Sequence, residues 1–93
     1  MISRTTKRFW KHFEALPREV QRQAVRAYAL WRTSPAHPSL QFKCVSEKYR
    51  VFSVRIGVHW RALGYREAGN DEDILIWFWI GSHADYDRLI SQK

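Results

Sequence analysis

A single cysteine, Cys44, stands alone in 93 residues, so the chain can form no internal disulfide. No His/Cys cluster has the spacing of zinc ligands, and a reducing, cytoplasmic compartment is the expected setting. Long hydrophobic runs are missing as well. The longest, Ile74-Leu75-Ile76-Trp77-Phe78-Trp79-Ile80, is far too short to span a bilayer, and no membrane partner is expected. Behind the basic residues of MISRTTKRFWKHF there is no apolar segment of signal-peptide length. Repeats, low-complexity tracts and linkers are absent, which leaves residues 1–93 as a single domain with short connections. A chain of this size has room for one modest core, which excludes a two-domain cofactor enzyme or a doubly wound nucleotide fold. Neither a phosphate-binding loop nor a nucleophile triad can be read from it. No metal and no cofactor is implied.

Acidic residues are scarce: nine Asp and Glu face sixteen Lys and Arg, for a net charge of +7. The imbalance is confined to the first half. Residues 1–50 hold eleven basic and three acidic side chains, whereas residues 51–93 hold five and six. A basic half on a small domain suits a polyanion or an acidic protein partner. Aromatic residues are plentiful at 15%, and apolar residues make up 45%, enough for a folded core.

Helical spacing of Phe9, Phe13 and Leu16, with Thr5 or Thr6 as N-cap, predicts a first helix over residues 6–16. Pro17 suits the first turn of a second helix that runs to about residue 33. Its apolar face carries Val20, Ala24, Ala27, Tyr28 and Trp31, and Arg18, Arg22 and Arg26 line the opposite side. Beyond Ser34-Pro35-Ala36-His37-Pro38 the period changes to two. Leu40, Phe42 and Cys44 predict one strand, Phe52, Val54 and Ile56 a second, and residues 60–65 a third. An acidic turn around Gly69-Asn70 precedes the run from Ile74 to Ile80, which is apolar on both faces and reads as a central strand covered by helices. Gly81 is expected to break that strand, and Ser82-His83-Ala84-Asp85 to open a short last helix as a capping box. The expected architecture is α+β: two N-terminal helices on a mostly antiparallel four-stranded sheet, with a short C-terminal helix.

Chemistry-bearing residues gather near the end of that order. His83 follows the apolar strand at a helix start, where an imidazole can act as general acid or base. Tyr86 lies one turn on. Arg55 and Arg61 alternate with apolar residues on adjacent strands and, depending on hairpin register, share one groove with Lys43. Clustered guanidinium groups suit phosphate binding and stabilisation of developing charge. Ordinary structural roles are open to all of them. His83 can serve as a helix-start residue, Tyr86 as a packed aromatic, and Arg61 as the partner of a nearby carboxylate. Lys43 and Arg55 can be solvated on a sheet face. The five tryptophans read mainly as core.

The segments HPSLQFK (residues 37–43), Arg55-Ile56-Gly57-Val58-His59-Trp60-Arg61 and the closing WIGSHADY (residues 79–86), together with the α-α-β-β-β-β-α order, resemble the RelE/ParE superfamily of bacterial toxins. The text is most similar to the ParE-like branch, and the likeness covers roughly residues 9–90. This resemblance implies a toxin of a type II toxin–antitoxin system, neutralised by a cognate antitoxin through an acidic segment. Of the two activities that the family shows, messenger RNA cleavage is the one expected here, because His83, Tyr86 and Arg61 make a usable acid–base and phosphate set, and gyrase inhibition is the alternative. RelE-like members are metal-independent endoribonucleases (mRNA interferases) that cut messenger RNA on the ribosome, whereas ParE-like members inhibit DNA gyrase. Under the first, Arg61 matches the strand arginine at the scissile phosphate. His83 and Tyr86 then match a catalytic histidine or basic residue and a C-terminal aromatic residue. Arg55, Lys43, Lys48 and Arg50 fall where the family supplies further RNA-binding cations. The paired lysines of the best-known member have no clear equivalent here.

Overall fold

In the computed structural model, which describes residues 2–91, the chain begins with a short strand that its sequence does not signal, β1 (Ile2–Thr5). Thr6 then caps helix α1 (Lys7–Glu14), its Oγ1 accepting the Phe9 N–H at 3.1 Å. Helix α2 (Arg18–Thr33) follows directly after Pro17. The Gln21 side chain donates to the carbonyls of Phe13 and Leu16, satisfying oxygens that the end of α1 leaves without helical partners. A single 3-10 turn at Pro38–Leu40 leads into β2 (Lys43–Ser46), β3 (Val51–Ile56), β4 (Trp60–Glu67), β5 (Ile74–Ser82) and helix α3 (His83–Ser91).

The sheet has five strands rather than four, in the order β1-β5-β4-β3-β2. β1 pairs parallel to β5, with Ile2 opposite Ile74 and Thr5 opposite Trp77, and the other pairs are antiparallel. The apolar strand β5 is therefore an inner strand, although β4 holds the middle. Two boundaries differ from the sequence pattern. Pro38 begins a 3-10 turn and Gln41 adopts φ 44°, so the extended run starts at Lys43 and not at Leu40. Gly81 does not end β5, which continues to Ser82.

The main core lies between the helix pair and one sheet face. Trp31 and Trp77 are 3% and 4% exposed, packed edge to face at 5.4 Å with Leu40, Val54, Ile56, Ala62 and Ile80 around them. Leu63 pairs with Trp79 and Gly64 with Trp77, so Phe78 is an extra residue on β5. This bulge lets Trp77 and Ile80, three residues apart, face the same core. Leu63, Ser53 and Tyr86 are buried separately, under α3 on the other side of the sheet. Trp10 departs from its expected core role: it is 46% exposed, with Nε1 donating to Thr5 Oγ1 at 2.8 Å. A cavity of about 370 Å³ remains between the helix pair and the sheet, lined by Phe9, Phe13, Trp31, Ile56 and Trp77 among others. None of the helices among the described residues is long and apolar enough to cross a membrane.

Truncating the indole at the centre of this core should be severe. Trp77→Ala is expected to lower the unfolding free energy by about 3–5 kcal/mol, read from the shift of the urea midpoint.

Candidate functional site

The site is assembled by the β3–β4 hairpin and the start of α3. Residues of β3 alternate: Val54 and Ile56 enter the helix-side core, so Ser53 and Arg55 lie on the opposite face. Antiparallel register then sets Arg55 directly opposite Arg61 on β4, and partners across a ladder share a face. The turn joining the two strands needs Gly57 at φ +61°, and a Cβ there would meet Gln23 Oε1 of α2 at 2.7 Å. α3 is anchored on that turn, because the His83 N–H donates to the His59 carbonyl at 2.6 Å. Ser82 caps the helix as its sequence suggests, its Oγ accepting the Asp85 N–H at 3.1 Å.

Four expected residues are brought together by these constraints. The Arg61 guanidinium lies 6.0 Å from the centroid of the Tyr86 ring. His83 meets the same ring nearly perpendicularly, with centroids 5.8 Å apart. Tyr86 is 5% exposed, and its hydroxyl donates inward to Ser53 Oγ at 3.4 Å. It therefore presents its ring, not its hydroxyl, to the site. Arg61 Nη1 donates to the Trp60 carbonyl at 2.9 Å, and Arg55 Nε to the Gly57 carbonyl at 2.9 Å. Among the described residues neither guanidinium has a carboxylate within 4.0 Å. Burial first, and then the facing Arg55, pull the Arg61 pKa below that of a free guanidinium, while Tyr86 and Asp87 pull it back up. Arginine stays charged under such a shift. The result is a pair of cations held face to face with no carboxylate in direct contact, the charge of Asp87 reaching Arg61 only from beyond ion-pair distance.

The remaining cationic candidates are placed differently. Lys43 is exposed on the edge strand β2, opposite Ser53, so it shares the face of Arg55 and Arg61. Lys48 and Arg50 sit at the other end of β3, in the β2–β3 turn. Lys48 Nζ lies 5.2 Å from the Tyr49 ring. Arg50 closes that turn at φ 55°, its carbonyl accepting the Arg66 N–H and its guanidinium 4.0 Å from Asp73. The structure therefore does not bring Lys48 or Arg50 to the cluster. Two residues that sequence reading passed over belong to it. Asp87 places Oδ2 3.0 Å from His83 Nδ1, and Ser53, 1% exposed, receives the Tyr86 hydroxyl. The i, i+4 spacing of His83 and Asp87 on a capped helix is a signal that could have found the first. Among the described residues, no group of three His, Cys, Asp or Glu side chains converges as metal ligands would.

The buried face of Tyr86 and its hydroxyl should separate cleanly in stability. Tyr86→Phe is expected to cost about 0.5–1.5 kcal/mol, the range of one hydrogen bond. Tyr86→Ala should cost about 3–5 kcal/mol, the range for emptying an aromatic site. Urea unfolding of the two variants beside the parent protein checks both.

Comparison with known proteins agrees with this architecture. No curated protein sequence matches the chain. Among solved structures, a YoeB/ParE toxin from Agrobacterium tumefaciens superposes with a TM-score of 0.66 at 14% identity, covering 89% of this chain and 99% of that one. The RelBE2 toxin–antitoxin complex from Mycobacterium tuberculosis gives a TM-score of 0.61 at 19% identity, over 88% of this chain and 96% of the other. A RelB–RelE antitoxin–toxin complex from Methanococcus jannaschii also reaches 0.61, at 16% identity and 91% and 96% coverage. At these identities the likeness establishes a shared fold. The sequence itself carries the closer relationship: the family model of the ParE-like toxin domain matches residues 18–88, and the chain belongs to that family.

Proposed function

We propose that this protein is the toxin of a toxin–antitoxin pair, and that it cuts messenger RNA on the ribosome. The observation that carries the reading is the opposed pair Arg55 and Arg61 beside His83. Like charges directly across a strand pair destabilise a sheet. A phosphodiester completes such a pair, because its two non-bridging oxygens match the donor forks of guanidinium groups. RNA supplies its own nucleophile in the 2′-hydroxyl, so a phosphate clamp and one group that moves a proton suffice for transesterification.

In this mechanism Arg61 and Arg55 hold the scissile phosphate and stabilise the charge that develops on its oxygens. His83, 43% exposed at the rim, is the proton-transfer group. The 2′-oxygen bonds to phosphorus as its proton departs, and the bond to the 5′-oxygen breaks. A 2′,3′-cyclic phosphate and a free 5′-hydroxyl remain. Tyr86 fixes Arg61 and His83 against one ring, and Lys43 extends the cationic face toward the sheet edge. Lys48 and Arg50 have no part in the reaction. Two of the solved structures similar to this chain are toxins bound to antitoxins, which supports an antitoxin partner. The exposed row Arg18, Arg22 and Arg26 on α2 suits an acidic segment of such a partner.

A second reading follows from the ParE-like family match: inhibition of DNA gyrase by binding alone. The two separate in one experiment. On induction in cells, the nuclease reading expects growth arrest with messenger RNA cleaved at codon boundaries. Loss of His83 or Arg61 should then reduce cleavage by roughly 100-fold or more, within the range that acid–base and charge-stabilising groups supply. Antitoxin binding should survive in His83→Ala and Arg61→Ala. Arrest with intact messages and blocked supercoiling, unchanged in both variants, would assign the gyrase reading instead.

A further inference from the structure

We infer that Asp87 is a positioning residue of this site: its carboxylate, 3.0 Å from His83 Nδ1, keeps the ring proton on that nitrogen and leaves Nε2 unprotonated, as the atom that takes the 2′-hydroxyl proton. The inference rests on the nuclease reading and assigns within it a direction of proton transfer that the cluster alone leaves open.

The chemistry of the pair carries the assignment. An ionised carboxylate only accepts hydrogen bonds, and a neutral imidazole carries one N–H and one bare nitrogen. With Asp87 Oδ2 3.0 Å from Nδ1, the proton belongs on Nδ1 and the lone pair on Nε2. Free imidazole side chains favour the opposite tautomer modestly, so the carboxylate is what selects this one. Two contacts then hold the ring, and a third fixes the main chain that carries it. The His83 main chain is tied to the His59 carbonyl, the ring edge meets Tyr86, and Nδ1 meets Asp87. Nε2 is on the far side of the ring from Asp87, and the Tyr86 ring that orients His83 also carries the Arg61 guanidinium.

The surrounding charges fit a base better than an acid. From β3 and β4 the site receives only the cations Arg55 and Arg61, from α3 it receives Tyr86 and Asp87, and from the β3–β4 turn the His59 carbonyl. When Nε2 takes the proton, the imidazolium gains a carboxylate 3.0 Å away that offsets repulsion from the two guanidiniums. The bookkeeping closes without another protein group. The 2′-hydroxyl proton passes to Nε2, the P–O5′ electron pair leaves with the 5′-oxygen, and that oxygen takes a proton from water. The Tyr86 hydroxyl, turned inward to Ser53, plays no part in the transfer.

Two measurements test this, one of them independent of any RNA chemistry. Long-range proton–nitrogen NMR of the labelled protein, at a pH where His83 is neutral, reads which ring nitrogen bears hydrogen. The expected result is Nδ1–H in the parent protein and predominantly Nε2–H in Asp87→Ala, with α3 intact by backbone chemical shifts. Cleavage of messenger RNA on programmed ribosomes should show Asp87→Ala lowering kcat by roughly 10- to 100-fold with KM changed by less than about twofold. An Nε2–H tautomer in the parent protein, or an Asp87→Ala variant that cuts like the parent, overturns the inference. If the parent protein cuts no RNA, the nuclease reading falls and takes the catalytic part of Asp87 with it. The NMR result still separately supports or removes the tautomer assignment.

Discussion

Burial of Trp77 against Trp31 is the contact on which the rest of this small structure depends. It fixes which face of β5 meets the helices, and every later residue of that strand inherits the choice. One extra residue, Phe78, then resets the alternation. Because of it Ile80 also enters the core, Trp79 turns to the other side, and Gly81 falls opposite Arg61. Gly81 has no side chain for a specific reason: a Cβ there would lie 2.6 Å from the Trp79 ring. Ser82 arrives where it can cap α3, and α3 brings His83, Tyr86 and Asp87 onto the far face. A slip of one residue in β5 would send all of them to the wrong side of the sheet.

The site sets two like charges directly across a strand pair, against the rule that favours opposite charges there. Several arginines elsewhere are answered by carboxylates: Arg66 and Arg50 share Asp73, Arg88 pairs with Asp85, and Arg22 with Glu19. Arg55 and Arg61 are given backbone carbonyls instead of carboxylates, and they face each other. Sequence-level consistency is relaxed most often where a surface must meet something outside itself. Here the unanswered charge is also held rigidly. Each guanidinium donates to a carbonyl of its own hairpin, and Arg61 lies against an aromatic ring that is itself buried. A ligand that binds there does not have to order these side chains first.

Much of this was legible in the amino-acid order, and the omissions have physical causes. The two helices follow from the spacing of Phe9, Phe13, Val20, Ala24 and Trp31, which marks an apolar face without any knowledge of the partner. Three of the antiparallel strands follow from alternation in the same way. β1 has one apolar residue, Ile2, in four positions, and its strand conformation exists only because β5 offers an edge. The site was half readable. His83, Tyr86, Arg55 and Arg61 were visible as polar residues in apolar surroundings. Which cations join them depends on hairpin register, a property of the turn and not of composition. Lys48 and Arg50 are as basic as Lys43, yet they lie at the other end of β3. Asp87 passed unnoticed because a carboxylate on an exposed helix face looks like solubility until its neighbour one turn back is known.

The parallel pairing of β1 with β5 has a consequence for how the molecule comes into being. Residues at the two ends of the chain, Ile2 and Ile74, are neighbours in the sheet, so the contact joins segments made far apart in time. During synthesis β1 has no strand to pair with until β5 emerges, and pairings of such separation close slowly. The same late segment delivers α3, with the histidine and the carboxylate that complete the cationic hairpin. Maturation of the sheet and maturation of the site are therefore a single event, and a chain interrupted before β5 carries the arginines without the rest.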